Sequence, residues 1–150
     1  MPITIETATI NHLNQLCEIE KICFKAEAFT KQQIASLLAD YNSVSLVAKE
    51  NNHIVGFIIG SIYFERNALT GHILTIDVLP VQWGKGIGTR LLREIEELFK
   101  AKNVNACRLE VREDNLAAIN LYEKFGYKVI GKLKSYYDGA DGIYLRKTLT

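Results

Sequence analysis

Leu109-Glu110-Val111-Arg112-Glu113-Asp114-Asn115-Leu116-Ala117-Ala118-Ile119-Asn120-Leu121-Tyr122-Glu123-Lys124-Phe125-Gly126-Tyr127 is the stretch whose reading decides the fold. It reads as strand, loop, capped helix, stop and strand. The strand is expected over Ala106 to Arg112. Asn115 suits an N-cap, because its side chain can accept a free backbone N–H of the first turn. A helix is predicted over Leu116 to Phe125, and Gly126 suits the left-handed conformation that ends it.

Upstream, Trp83-Gly84-Lys85-Gly86-Ile87-Gly88-Thr89 joins a strand to the strongest helix of the chain. That helix is predicted from about Gly86 to Lys102. Leu91, Leu92, Ile95, Leu98 and Phe99 form its apolar stripe, and Arg93/Glu97 and Glu96/Lys100 are i,i+4 pairs expected on the wet face. Three glycines at alternate positions let backbone N–H groups approach a ligand unobstructed. The helix start adds free donors and a positive dipole end, which together suit a pyrophosphate. A Walker P-loop is excluded, since no Gly-Lys-Ser/Thr occurs. The dinucleotide fingerprint fails at its third glycine, where Thr89 stands. The plain alternative is a glycine-rich turn that only caps a helix.

The remaining elements follow by period. Ile3 to Thr7 alternates as a half-buried strand does. A helix is predicted from about Asn11 to Cys23. Thr30 and Gln33 form a capping-box pattern ahead of a second helix, which ends near Asp40. Strands are predicted over Ser43 to Lys49 and His53 to Phe64, joined by an Asn51-Asn52 turn. Gly56 and Gly60 in the second of these point to a bulge or a close backbone approach. A strand over His72 to Val78 stops before Pro80. The last two strands are expected over Tyr127 to Lys134 and Ile143 to Thr148. Asp138-Gly139 and Asp141-Gly142 are read as the turn between them. The order is β-α-α-β-β-β-α-β-α-β-β, a mixed α/β fold.

The chain has 150 residues, 48% of them apolar, enough for one domain over 1–150 with a true core. A net charge of +1 gives no reason to expect nucleic acid as a partner. Three cysteines without a C-x-x-C pattern suggest neither a disulfide framework nor a zinc site, and no metal is expected. Met1 to Glu6 lacks the features of a leader, and no apolar run reaches membrane-spanning length. The expectation is a soluble cytoplasmic protein with no membrane partner.

Taken together, the glycine loop and the Asn115 to Tyr127 block resemble the GNAT superfamily of N-acetyltransferases. Gly86-x-Gly88 matches the tail of its [QR]-x-x-G-x-[GA] motif, although Trp83 stands at the leading position. Asn115-x-x-Ala118-x-x-Leu121-Tyr122-x-x-x-Gly126-Tyr127 closely resembles its second block. Leu109-Glu110-Val111-Arg112 ahead of that block is similar to the RimI-like and archaeal N-terminal acetyltransferase branch. The resemblance implies a mixed, mostly antiparallel sheet of about seven strands flanked by four helices. Strands 4 and 5, His72–Val78 and Ala106–Arg112, would splay into a V.

It also implies a use for particular residues. Acetyl-CoA would lie in the splay as co-substrate, its pantetheine arm paired with the backbone of Ile76, Asp77 and Val78. The N–H groups of Gly84, Lys85, Gly86, Ile87, Gly88 and Thr89 would hold its pyrophosphate, with Asn115 near the pantetheine. Glu110 would be the general base, its pKa raised by burial, and Tyr122 the general acid for the leaving sulfur. An N–H near Ile76 or Val78 would steady the oxyanion. Glu27, Phe29, Tyr136 and Tyr137 would bind the substrate, a protein or peptide N-terminus. Family members often carry Pro-Trp near Phe29, where this chain has Ala28-Phe29, so the first pocket is expected to differ in size.

The residues alone leave other readings open. Glu110 could be an ion-paired strand residue, with Arg108 or Arg112 as partner. Tyr122, Phe29 and one of Tyr136 and Tyr137 could be core. His72 could assist proton transfer or be structural. Cys107 lies in the opposite phase to Glu110 on the same strand and is a poor nucleophile candidate. A direct ternary mechanism is therefore expected, in a monomer or weak homodimer. The same fold could instead serve a lysine side chain or small amine, or a non-catalytic acyl-CoA sensor.

Overall fold

The computed structural model describes residues 2–149. One seven-stranded sheet runs through it, in the order β1-β2-β3-β4-β5-β7-β6. Its strands are β1 (Ile3–Thr7), β2 (Ser43–Glu50), β3 (His53–Glu65), β4 (Ala68–Val78), β5 (Ala106–Arg112), β6 (Lys128–Tyr137) and β7 (Ala140–Thr148). The helices are α1 (Leu13–Phe24), α2 (Lys31–Ala39), α3 (Ile87–Ala101) and α4 (Leu116–Lys124). α3 and α4 share one apolar cluster with one face of the sheet. α1 and α2 cover the other face with Leu16, Ile19 and Ile34 against Val47, Phe57 and Ile59. No helix among the described residues is long and apolar enough to cross a membrane.

Local signals account for most element ends. Thr30 Oγ1 accepts the Gln33 N–H at 3.1 Å, and the Gln33 side chain accepts the Thr30 N–H at 2.8 Å. Asn51 and Asn52 turn with φ of 53° and 67°. Asn115 Oδ1 takes the Ala118 N–H at 3.2 Å, and Gly126 leaves α4 at φ 99°.

Every strand pair is antiparallel except β4 with β5. That pair is parallel and holds only at Thr70–Ala106, Gly71–Cys107 and His72–Arg108. β7 pairs along the whole of β5 and keeps it in the β5-β7-β6 half. β4 stays with β3. The register of β3 against β4 jumps from Gly60–Ile73 to Ile59–Thr75, leaving Leu74 as an extra residue. Such a bulge bends its strand, and this one lies where the two strands part. The expected V is present, and beyond it the β5-facing backbone groups of β4 lack strand partners.

Four expectations are corrected. β4 begins at Ala68 rather than His72. Gly71 pairs with Ile62 and Cys107 inside the strand, and the Phe99 ring fills its side-chain place: a Cβ there would lie 2.5 Å from Phe99 Cε2. Glu96 is not on the wet face of α3. It is 3% exposed and accepts from the Tyr127 hydroxyl at 2.8 Å and Lys147 Nζ at 2.7 Å. Lys100 pairs with Glu97 instead, and Leu98 lies at the solvent edge of the stripe. Only Asp138-Gly139 turns between β6 and β7. Asp141 and Gly142 are in β7, where Asp141 Oδ1 accepts the Ser135 N–H at 2.8 Å.

Candidate active site

The parted strands open a cleft of two chambers. One, of about 530 Å³, is lined by Ile76, Val78, Trp83, Gly84, Gly86, Ile87, Gly88, Thr89, Asn115 and Tyr122. The other, of about 520 Å³, is lined by Glu20, Phe24, Glu27, Phe29, Thr75, Glu110, Arg112, Tyr136 and Tyr137. Cys23, Phe24, Ile76, Asn115, Ala118 and Tyr122 line both, so the chambers meet beside Tyr122.

The first chamber is built by the glycine loop. Gly84 and Gly86 have φ of 85° and 78°, and an added Cβ at either would meet nothing within 4 Å. Gly86 is the N-cap of α3, so the free N–H groups of the helix start lie at this wall. A cradle open to backbone N–H groups at the positive end of a helix suits a phosphate or pyrophosphate. Two residues expected to serve through their backbone turn their side chains elsewhere. Lys85 turns to Gln82, donating to its Oε1 at 2.9 Å. The Asp77 side chain is buried on the α1 side of the sheet, hydrogen-bonded to Thr75. Trp83 adds a contact the motif did not suggest: its indole N–H donates to the Val78 carbonyl at 2.8 Å.

In the second chamber Glu110 takes two partners. His72 Nε2 lies 2.7 Å from Glu110 Oε1, and Arg108 donates to Oε2 at 2.9 Å. Arg108 also reaches the Tyr63 hydroxyl at 3.0 Å. The expected rise in the Glu110 pKa is therefore corrected. Burial pushes the carboxyl up, but the hydrogen bonds and charges of His72 and Arg108 outweigh it and hold it below the usual glutamate value. Tyr122 is 5% exposed at the junction, and burial raises its phenol further above its ordinary value. It packs edge-on to Tyr127 with ring centroids 6.0 Å apart.

Sequence reasoning missed Arg112 as an organiser. Its guanidinium donates to Glu27 at 2.6 Å, to Asp114 at 3.0 Å and to the Asp138 carbonyl at 3.2 Å. It thus ties the segment after α1 and the β6–β7 turn to the end of β5. Tyr136 and Tyr137 stack edge-to-face at 5.0 Å on the same rim. Glu27 is accordingly engaged by a cation, which its sequence neighbours gave no sign of. Cys23 lines both chambers, but burial pushes its thiol up to about 12. Cys107, behind β5, is raised to about 12 in the same way. Neither is a thiolate near neutral pH.

The comparisons with known proteins agree with this geometry. The chain is 30% identical over 153 residues to an N-alpha-acetyltransferase of Sulfurisphaera tokodaii, covering 94% of this chain and 89% of that protein. It is 30% identical over 154 residues to the N-alpha-acetyltransferase RimI of Mycobacterium tuberculosis, covering 97% and 92%. Its fold superposes on the crystal structure of Ard1 from Thermoplasma volcanium with a TM-score of 0.90 at 25% identity, covering 100% and 99%. The description of the acetyltransferase (GNAT) family fits residues 13–127, a span that holds the glycine loop, both splayed strands and the helix carrying Tyr122. The chain belongs to the GNAT acetyltransferase family.

Proposed function

We propose that residues 1–150 form one catalytic domain that moves an acetyl group from acetyl-CoA to the N-terminal α-amine of a peptide or protein. The observation that carries this is the two-chambered cleft, with an anion cradle at one end, Glu110 at the other and Tyr122 between. Bound with its pyrophosphate on the glycine loop, acetyl-CoA supplies an acetyl thioester at the junction.

The other roles fall to the chain. The β4 backbone after the bulge offers N–H and C=O groups to the pantetheine arm, except the Val78 carbonyl, which Trp83 already holds. The substrate attacks the thioester carbonyl carbon as the free amine, and Glu110 takes the proton that the nitrogen sheds as its bond to that carbon forms. His72, 2.7 Å from Glu110 Oε1, and Arg108, 2.9 Å from Oε2, hold that carboxylate in place. Tyr122 keeps its proton at neutral pH and donates it to the sulfur as the carbon–sulfur bond breaks. Arg112 holds the rim segments of Glu27 and Asp138 around the acceptor chain.

The test is thiol release from acetyl-CoA with two sets of short peptides. One set has free N-termini and no lysine; the other is N-terminally blocked and carries one lysine. Turnover of the first set is expected. Turnover of the blocked set alone would move the acceptor to a lysine side chain, and no turnover of either would overturn the reading.

The cradle has its own test. Alanine in place of Gly86 must hold φ near 78°, at a cost of ~1–2 kcal/mol, or relax and turn an N–H away. Gly86→Ala should raise the acetyl-CoA KM about tenfold, the equivalent of ~1.4 kcal/mol. Peptide KM should hardly change. Initial rates with each substrate varied in turn check both.

A further inference from the structure

Thr75 Oγ1 lies 2.6 Å from Asp77 Oδ1 and 2.9 Å from Glu20 Oε1. A hydroxyl has one proton and can donate to only one of two carboxyl groups. The other contact then joins two oxygens in a buried place. It is favourable only if a carboxyl group supplies a second proton.

Asp77 is the group that carries it. Asp77 is 1% exposed, and its Oδ2 has no hydrogen-bond partner among the described residues. Glu20 Oε2, by contrast, accepts the Phe29 N–H at 3.0 Å, a bond that favours a charged carboxylate. The titratable groups facing Asp77 are Glu20 and Cys23 from α1 and Tyr122 from α4, with no cation among them. Burial first, then the Glu20 charge, hold Asp77 well above the usual aspartate range.

We propose that Asp77 is a positioning residue: its carboxyl proton goes to Thr75, the Thr75 proton goes to Glu20, and Glu20 holds the Phe29 N–H. One proton thereby fixes the segment between α1 and α2 that walls the second chamber. The proposal rests on the reading of that chamber as the acceptor site. When Asp77 ionises, two buried carboxylates face each other across one hydroxyl, an arrangement that like charges do not tolerate. Glu20 relieves it by leaving Thr75 and Phe29, and the wall loosens. Acceptor binding suffers, while the glycine loop, in the other chamber, is untouched.

Two measurements test this. The first needs no turnover. The side-chain carboxyl carbons of isotopically labelled protein are followed by NMR against pH, and the Asp77 signal is identified by its loss in Asp77→Asn. A carboxyl still protonated at neutral pH is expected. An ionised one overturns the proposal, whatever the chain acetylates. Linkage gives the matching stability result. The folded state holds this proton more tightly than the unfolded chain, so stability falls as pH climbs from the ordinary aspartate range to the raised value. Asp77→Asn should lack that slope.

The second measurement is peptide KM against pH at saturating acetyl-CoA. In Asp77→Asn the introduced side-chain amide donates to Thr75 at every pH. The ratio of wild-type to Asp77→Asn peptide KM cancels the titration of the peptide amine. That ratio should rise about tenfold as Asp77 loses its proton, the effect of one charge-assisted hydrogen bond. Acetyl-CoA KM should show no such rise, and a flat peptide ratio overturns the proposal. Thr75→Val, which removes the bridging hydroxyl and keeps the shape, should raise peptide KM already at neutral pH. An unchanged KM in that variant also counts against it.

Discussion

Glu110→Gln should lower kcat by about 10²–10⁴-fold, the usual contribution of a positioned base, and leave acetyl-CoA affinity unchanged. The two effects separate because Glu110 lines only the acceptor chamber and the glycine loop only the other. Glutamine keeps the shape and can still hydrogen-bond to Arg108 or His72, but it cannot take a proton. Single-turnover rates with preformed acetyl-CoA complex, beside calorimetric titration of acetyl-CoA, check both halves. A rate within a few-fold of wild type would leave Glu110 as no more than the ion-pair partner of Arg108. The pH profile carries a sign as well. His72 and Arg108 hold the Glu110 carboxyl below the usual glutamate value, so it remains ionised through the neutral and mildly acidic range. Protonation of Glu110 should therefore cost no activity through the mildly acidic range. The rise in kcat/KM with pH should instead follow the substrate α-amine, which titrates near ~8. Glu110→Gln should keep that rise at a much lower level.

The parts of the fold visible in the sequence are those set by neighbours along the chain. The stripe of α3, the Thr30–Gln33 box, the Asn51-Asn52 turn and the Asn115 cap each depend on residues within a few positions, and each is found where expected save for Leu98 at the solvent edge of the stripe. The parts that are not visible depend on register between distant strands. Glu96 reads as a wet-face residue because its partners, Tyr127 and Lys147, come from beyond β5. Gly71 falls outside the expected strand because nothing local shows that the Phe99 ring fills its place.

The candidate site divides in the same way. The glycine loop, Glu110 and Tyr122 stand out by motif, and they line one continuous cleft. What tunes them does not stand out. His72 meets Glu110 only because β4 and β5 pair at His72–Arg108 just before they part. The direction of the Glu110 pKa escapes a sequence reading for that reason: burial is visible from its apolar neighbours, and the two opposing partners are not. Asp77 is another case. Its place on β4 suggests a backbone role, while the parity set by the Leu74 bulge turns its side chain toward Glu20 on α1.

Tyr122→Phe should lower kcat by about 10²–10³-fold, within the range for a positioned proton donor, with both KM values little changed. The phenol is suited to the acid role by its environment. Burial raises its pKa, so at any working pH it carries the proton that the departing thiolate needs. Glu110 is ionised and has no proton to give, so it does not replace the phenol. The substitution removes one hydroxyl and keeps the ring that stacks on Tyr127 at 6.0 Å, so Tm should move by only a degree or two. Kinetics can then be compared between two equally folded proteins. The decisive comparison is the combined variant with Glu110→Gln. If the two groups act in one step, as base and acid on a single tetrahedral centre, the double loss should be much smaller than the product of the single losses. Fully multiplicative losses would mean that the two groups contribute independently to the rate-limiting transition state.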